Sequence, residues 1–138
     1  MKTLSDYVAQ KPFEYCEKNR RVTDLLLKKA EVVLEVSFGK QLREYLLSYG
    51  YLSMEYREFT GMTKNQGLES DLVKQSQFLH TYHPASKGWV VIEDLDDGVY
   101  ALVNEKDEVQ KFDAGSGAFF GDTQMLFDYI VSRFDSVQ

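Results

Sequence analysis

The segment DLDDGVYALVNE, from Asp94 to Glu105, is where this sequence comes nearest to a metal loop. Asp94, Asp96 and Glu105 stand at positions 1, 3 and 12 of an EF-hand, a carboxylate spacing that can wrap calcium. The middle of the pattern fails. Position 5 is Gly98 where a ligand belongs, and position 6, where the sharp turn requires glycine, is Val99. The residues after Gly98 are strand-like, so the segment reads as an acidic hairpin tip. His80 and His83 are spaced to share one helical face. The chain has only two histidines and one distant cysteine, Cys16, while zinc needs three or four ligands. The pair reads as polar residues closing a helix before Pro84. No metal or other cofactor is expected.

Nucleophilic chemistry fares no better. Cys16 lies in EYCEK, where Lys18 is the one nearby cation, too little to mark an activated thiolate. The 22 acids offer many carboxylate pairs for glycoside chemistry, and nothing selects one. GSG at Gly115 to Gly117 has neither GxGxxG nor a Walker lysine around it, and reads as a flexible turn. The chain is therefore not read as an enzyme.

Charge points to a partner instead. Residues 1–64 carry eleven Lys and Arg against nine Asp and Glu, and residues 65–138 carry five against thirteen. Glu93 to Asp113 alone holds eight acids and two lysines. Phosphate binding needs clustered cations, so nucleic acid is not expected as a direct partner, whereas a basic protein would be attracted. A length of 138 residues with 43% hydrophobic and 14% aromatic residues suits one core and one domain. The N-terminus lacks the apolar run of a signal peptide, and no stretch approaches a membrane span. With a single cysteine, a cytoplasmic setting is expected.

The elements follow from spacing. A short helix is expected over residues 3–10, capped by Thr3 or Ser5. Thr23 reads as the cap of a second helix, with Val22 and Leu27 as a hydrophobic staple and Leu26, Ala30, Val33 and Leu34 recurring behind it. A third helix is expected from Gly39 to Tyr49, with Phe38, Leu42, Tyr45, Leu46 and Tyr49 as its stripe and Gly50 just past its end. The second and third helices should form an antiparallel pair. A strand is expected over residues 51–60, carrying Tyr56 and Phe59. A helix over Asp71 to Thr81 should carry Leu72, Gln75, Ser76 and Leu79 on one side. Strands follow at Trp89–Glu93, Val99–Val103 and Val109–Asp113, the first two joined by an Asp-Gly turn. Asp122 is expected to cap a last helix with Leu126, Phe127, Ile130, Val131 and Phe134 inward. Trp89 is expected to be buried, and Phe119 and Phe120 to close the sheet's end. The plan is α+β, an antiparallel sheet with helices packed on one side.

Several segments in this order resemble the SUKH superfamily, named for Smi/Knr-type regulators of yeast cell walls and their bacterial immunity relatives. RVTDLLLKKAE (Arg21 to Glu31) is similar to the family's opening helix, ending in its Ala-Glu pair. FGKQLREYLLSYG (Phe38 to Gly50) resembles its aromatic-studded second segment, with Gly39 where the family prefers proline. EYREFTGM, SDLVKQS, WVVIEDLDDGVYAL and FDYIVSRF resemble the following strand, helix start, hairpin and closing helix. The likeness is strongest over residues 21–134 of a single domain spanning 1–138.

The resemblance implies a non-catalytic bacterial immunity protein that neutralises a cognate toxin, typically a nuclease domain with a basic groove. The acids and aromatic of the central hairpin are then the candidate partner-binding residues: Glu93, Asp94, Asp96, Asp97, Tyr100, Glu105, Asp107 and Glu108. Such a binder is expected to lack a cavity with convergent ionisable groups. The alternative implied by the same resemblance is a regulatory scaffold or ligand-binding module of the Smi/Knr type.

Overall fold

The computed structural model describes residues 4–54 and 57–135. A short helix, α1 (Leu4–Ala9), leads into a two-residue strand, β1 (Glu14–Tyr15). The expected cap Thr3 lies outside the described residues, as does Tyr56. Helix α2 (Asp24–Leu34) begins where the Thr23 hydroxyl accepts a hydrogen bond from the Leu26 N–H at 3.3 Å. Its inward residues are Leu27, Ala30 and Leu34, each Leu worth roughly 1.5–3 kcal/mol of burial. The expected stripe is thus shifted, with Leu26 only half-buried and Val33 exposed. Helix α3 (Lys40–Ser48) buries Leu42, Tyr45 and Leu46 and ends at Gly50, whose φ of +74° a side chain would resist.

The two helices expected to pack as a pair, α2 and α3, bury their apolar faces in one core, and each also has another helix against its backbone. The backbone of α2 lies against helix α4 (Asp71–Tyr82), and that of α3 lies against the last helix, α5 (Leu126–Asp135). Polar bonds also join α2 to α3: Arg43 reaches from α3 to both Asp24 and Glu31 of α2. The Glu31 carboxylate also accepts the Phe38 N–H at 2.8 Å, fixing the connection between the helices.

Residues 51–60 hold two strands instead of one. β2 (Leu52–Met54) and β3 (Arg57–Glu58) pair antiparallel, and β1 adds to the other edge of β2, giving a small sheet in the order β1-β2-β3. The larger sheet is the expected meander with a fourth strand: β4 (Val90–Asp94), β5 (Val99–Val103), β6 (Glu108–Asp113) and β7 (Ala118–Met125), in sequence order. β7 corrects the reading of Asp122 as a helix cap. Asp122 lies within the strand, and the β6–β7 register shifts beside it, where Gly121 has φ +79°.

Side chains alternate across this sheet. Val90, Ile92, Ala101, Val103 and Val109 enter the main core with α2, α3 and α5. Val91, Leu102 and Phe112 point the other way and are joined by Leu79 of α4, whose Leu72 and Val73 stay in the main core with the other helices. Trp89 is half-buried there, its ring 4.6 Å from that of Phe119. Phe120, by contrast, is exposed.

The outer edge of β4 is closed by side chains from elsewhere. Thr60 donates from its N–H to Ile92 O at 2.9 Å and from its hydroxyl to Val91 O at 2.7 Å. Ser76 Oγ accepts the Val91 N–H at 2.9 Å. An edge satisfied in this way offers no free ladder for strand-to-strand aggregation.

The core carries a test of its own. Tyr45 is fully buried, and its hydroxyl donates to Thr60 O at 2.7 Å. Burial pushes its pKa well above the usual phenol value, and burial followed by the neighbouring Glu93 does the same for Tyr129. A folded pKa raised above the unfolded one gives stability that is intact below the unfolded value and is lost above it. Above about pH 10, each of these two tyrosines should cost about 1.4 kcal/mol per pH unit. Urea melts from pH 8 to 11.5 should show that slope, with phenolate absorbance appearing for this pair only on unfolding. Flat stability across pH 10–11 would contradict it.

Candidate protein-docking surface

The eight candidate residues of the central hairpin separate into three groups. Two are inside. Glu93 is 3% exposed and is gripped from α5: Arg133 donates from Nε to Oε1 and from Nη2 to Oε2, both at 2.9 Å, and the Tyr129 hydroxyl donates to Oε1 at 2.7 Å. This two-pronged pairing ties β4 to α5. It also pushes the Arg133 pKa up, with the Glu93 hydrogen bond as the leading cause. Asp107, 5% exposed, accepts the N–H groups of Gln41 at 2.9 Å and Leu42 at 3.0 Å, so it caps α3 from 65 residues away. Neither residue belongs to a docking face, because neither can meet a partner without opening the core.

A second group forms the β4–β5 tip. Asp94, Asp96 and Asp97 are exposed. Asp96, Asp97 and Gly98 follow one another with φ of +71°, +55° and +79°, a left-handed run that aspartate and glycine tolerate best. The turn is braced: Asp94 Oδ1 accepts the Asp96 N–H at 2.9 Å, and Gly98 O accepts the Ala114 N–H at 2.8 Å. Among the described residues, no lysine or arginine pairs with these three carboxylates. Tyr100, half-buried, stands opposite Asp94 in the strand register, and burial, helped by Asp94, pushes its phenol pKa up.

The third group sits at the far end of β5. Glu105 is exposed, and Glu108 is half-buried with Asn104 Nδ2 donating to it at 3.0 Å. Five residues of strand separate this end from the tip, about 17 Å. Asp94, Asp96 and Glu105 therefore do not converge. His80 and His83 diverge as well. His80 Nε2 bonds Trp89 O at 2.7 Å, and the His83 ring lies edge-on to Phe112. Cys16 is buried, and desolvation raises its thiol pKa, which suppresses the thiolate. Among the described residues, no three His, Cys, Asp or Glu side chains are grouped to hold a metal.

One expectation needs correction. Ionisable groups do converge in a cavity, an open cleft of about 490 Å³ between the tip, β3 and the start of α4. Asp94, Asp96, Glu58 and Asp71 line it together with Arg57 and the Glu93–Arg133 pair. Asp71 Oδ1 accepts the N–H groups of Gly61 at 3.0 Å and Leu72 at 2.9 Å, the work of a helix-end carboxylate. Sequence reasoning missed Glu58, Asp71 and Arg57 as neighbours of the tip. Only the Ser70-Asp71 helix start was legible, and nothing in it points across to β4. Beyond the cleft, Phe78 and Tyr82 stand 55% and 65% exposed on the outer side of α4, their rings 4.8 Å apart.

Fold and surface together define an α+β protein whose buried carboxylates Glu93 and Asp107 hold elements together, while Asp94, Asp96 and Asp97 at one hairpin tip stand exposed with no lysine or arginine paired to them among the described residues. No helix among the described residues is long and apolar enough to cross a membrane. The SUKH_5 family model, described as SMI1-KNR4 cell-wall, matches residues 1–129, and the chain belongs to this family. The match takes in the first twenty residues, where α1 and β1 lie, ahead of the segments that carried the resemblance. No curated protein matches the chain.

Proposed function

We propose that this chain is a non-catalytic immunity protein that binds a cognate toxin domain in the bacterial cytoplasm and blocks it, the toxin being a nuclease with a basic substrate groove. The observation that carries this reading is the braced β4–β5 tip, which holds Asp94, Asp96 and Asp97 in solvent with no lysine or arginine paired to them among the described residues. A groove built to hold phosphate is lined with lysine and arginine, so the two surfaces attract at long range and dock charge to charge. Aromatic side chains such as Phe78 and Tyr82 are the residue types that anchor protein interfaces. Membership of the family supports the same assignment.

Co-expression with the toxin encoded beside this gene tests it. The unaltered chain should restore growth. Reversing the tip with Asp94→Lys, Asp96→Lys and Asp97→Lys should slow association roughly 10- to 100-fold at low salt. A toxin that stays lethal with the unaltered chain present would defeat the assignment for that pair.

A further inference from the structure

Exposed apolar side chains are not spread evenly over this molecule. Nine large ones stand in solvent among the described residues, and five of them, Leu25, Val32, Val33, Phe78 and Tyr82, lie on α2 and α4. The two helices are neighbours. Near the start of α2, Leu26 Cδ1 lies 3.9 Å from where a Cβ on Gly67 would stand, just ahead of α4. Near its end, Val33 and Glu35 share a groove of about 540 Å³ with Gln77 and Thr81. α2 and α4 therefore run side by side in the same sense, with Val32 and Phe78 at about one level. Val32 is 77% exposed, and Leu25, two turns before it, is 64% exposed. Apolar groups gathered in solvent on one face mark an interaction surface.

Charge says what covers it. The chain carries a net −6, so two copies repel over most of their surface. This face is balanced. Asp24 pairs with Lys28 and Glu69 with Lys74, which leaves one cation, Lys29, and one anion, Glu35, with no ion pair among the described residues. A strongly basic protein finds no acidic excess here. A second copy meets an apolar face like its own, without repulsion.

We infer that the α2–α4 face joins two copies of this chain about a twofold axis that crosses the helices at Val32 and Phe78. Such an axis lays each helix antiparallel on its own counterpart, so that every contact occurs twice. Val32 packs on Val32 of the second copy, and Phe78 on Phe78. Residues three before and three after the axis oppose one another, so Lys29 of each copy faces Glu35 of the other, and both gain a partner. By the same count Lys74 comes opposite Tyr82, an ammonium against an aromatic ring. The tip acids on the hairpin stay open to a basic partner, so this contact stands apart from the toxin reading. Helices of 11 and 12 residues are about 17 Å long, which puts the face at the small end of specific interfaces. The dimer should be reversible, with a Kd of roughly 10–100 µM.

Sedimentation equilibrium of the full chain from about 5 to about 500 µM tests it, and a monomer–dimer equilibrium in that range is expected. Val32→Glu sets two like charges on the axis and should weaken the dimer tenfold or more. The side chain of Val32 lies in solvent, so the fold of the single copy is retained. The second test reads the register. Lys29→Glu alone and Glu35→Lys alone should each weaken the dimer roughly three- to tenfold, and the two together should restore it. Residues six apart do not face each other along one helix, so that recovery cannot arise within a single copy. A chain monomeric throughout the range, a dimer indifferent to Val32→Glu, or a double variant as weak as the sum of its parts would overturn the inference.

Discussion

Replacing Arg133 with methionine should lower the melting temperature by roughly 10–20 °C, a loss of about 3–5 kcal/mol for leaving a buried charge unpaired in a domain of this size. The substitution keeps the length of the side chain and removes both bonds to Glu93, which is 3% exposed and cannot turn to solvent. Tyr129→Phe removes the third bond and should cost less, about 1–2 kcal/mol, because the guanidinium still neutralises the carboxylate. Pairing Arg133→Met with Glu93→Gln should recover part of the loss, since a neutral amide is cheaper to bury than a carboxylate. Thermal unfolding of the three variants decides it. A deficit below 1 kcal/mol for Arg133→Met would mean the pair is not what joins β4 to α5.

The second large effect lies at Gly39. Its φ of −69° would suit proline, the residue preferred there by the resemblance, so backbone angle is not what excludes a side chain. Space excludes it: a Cβ on Gly39 would collide with the Asp107 carboxylate that caps α3. The same Asp107 accepts the Leu126 N–H on its carbonyl at 2.8 Å, and Gln41 Oε1 accepts the Phe127 N–H at 2.9 Å, so the starts of α3 and α5 are held at one junction. Gly39→Ala should expel the carboxylate, and Asp107→Ala should delete it. Each should cost roughly 2–4 kcal/mol for the two lost charge-assisted bonds in a buried setting. If both act on one contact, the double variant should be less destabilised than the sum by at least about 1 kcal/mol in urea melts. Strict additivity would refute the coupling.

These two sites show where sequence reading stops. Helix starts and stripes were legible because their causes are local: Thr23 caps three residues on, Gly50 ends α3, and Leu42, Tyr45 and Leu46 share a face. β7 was missed because Asp122 read as a helix cap, whereas here it lies beside Gly121 at a register shift inside a strand. The break in residues 51–60 was hidden for a related reason, since no glycine, proline, asparagine or aspartate stands between Met54 and Arg57 to mark it. Among the hairpin acids, charge was legible but destination was not. Glu93 finds its partners on α5 and Asp107 finds its own on α3, over separations of 40 and 65 residues that no short pattern encodes. Asp94, Asp96 and Asp97 read correctly as a solvated tip because their turn chemistry is self-contained.

The left-handed run at Asp96, Asp97 and Gly98 carries a kinetic corollary. A loop that must freeze when it is captured spends part of its interaction energy on lost freedom. Here the torsions are already set, so capture has little left to organise and the complex keeps more of its gross attraction. Charge reversals at this spot should therefore surface in how fast the proposed complex forms.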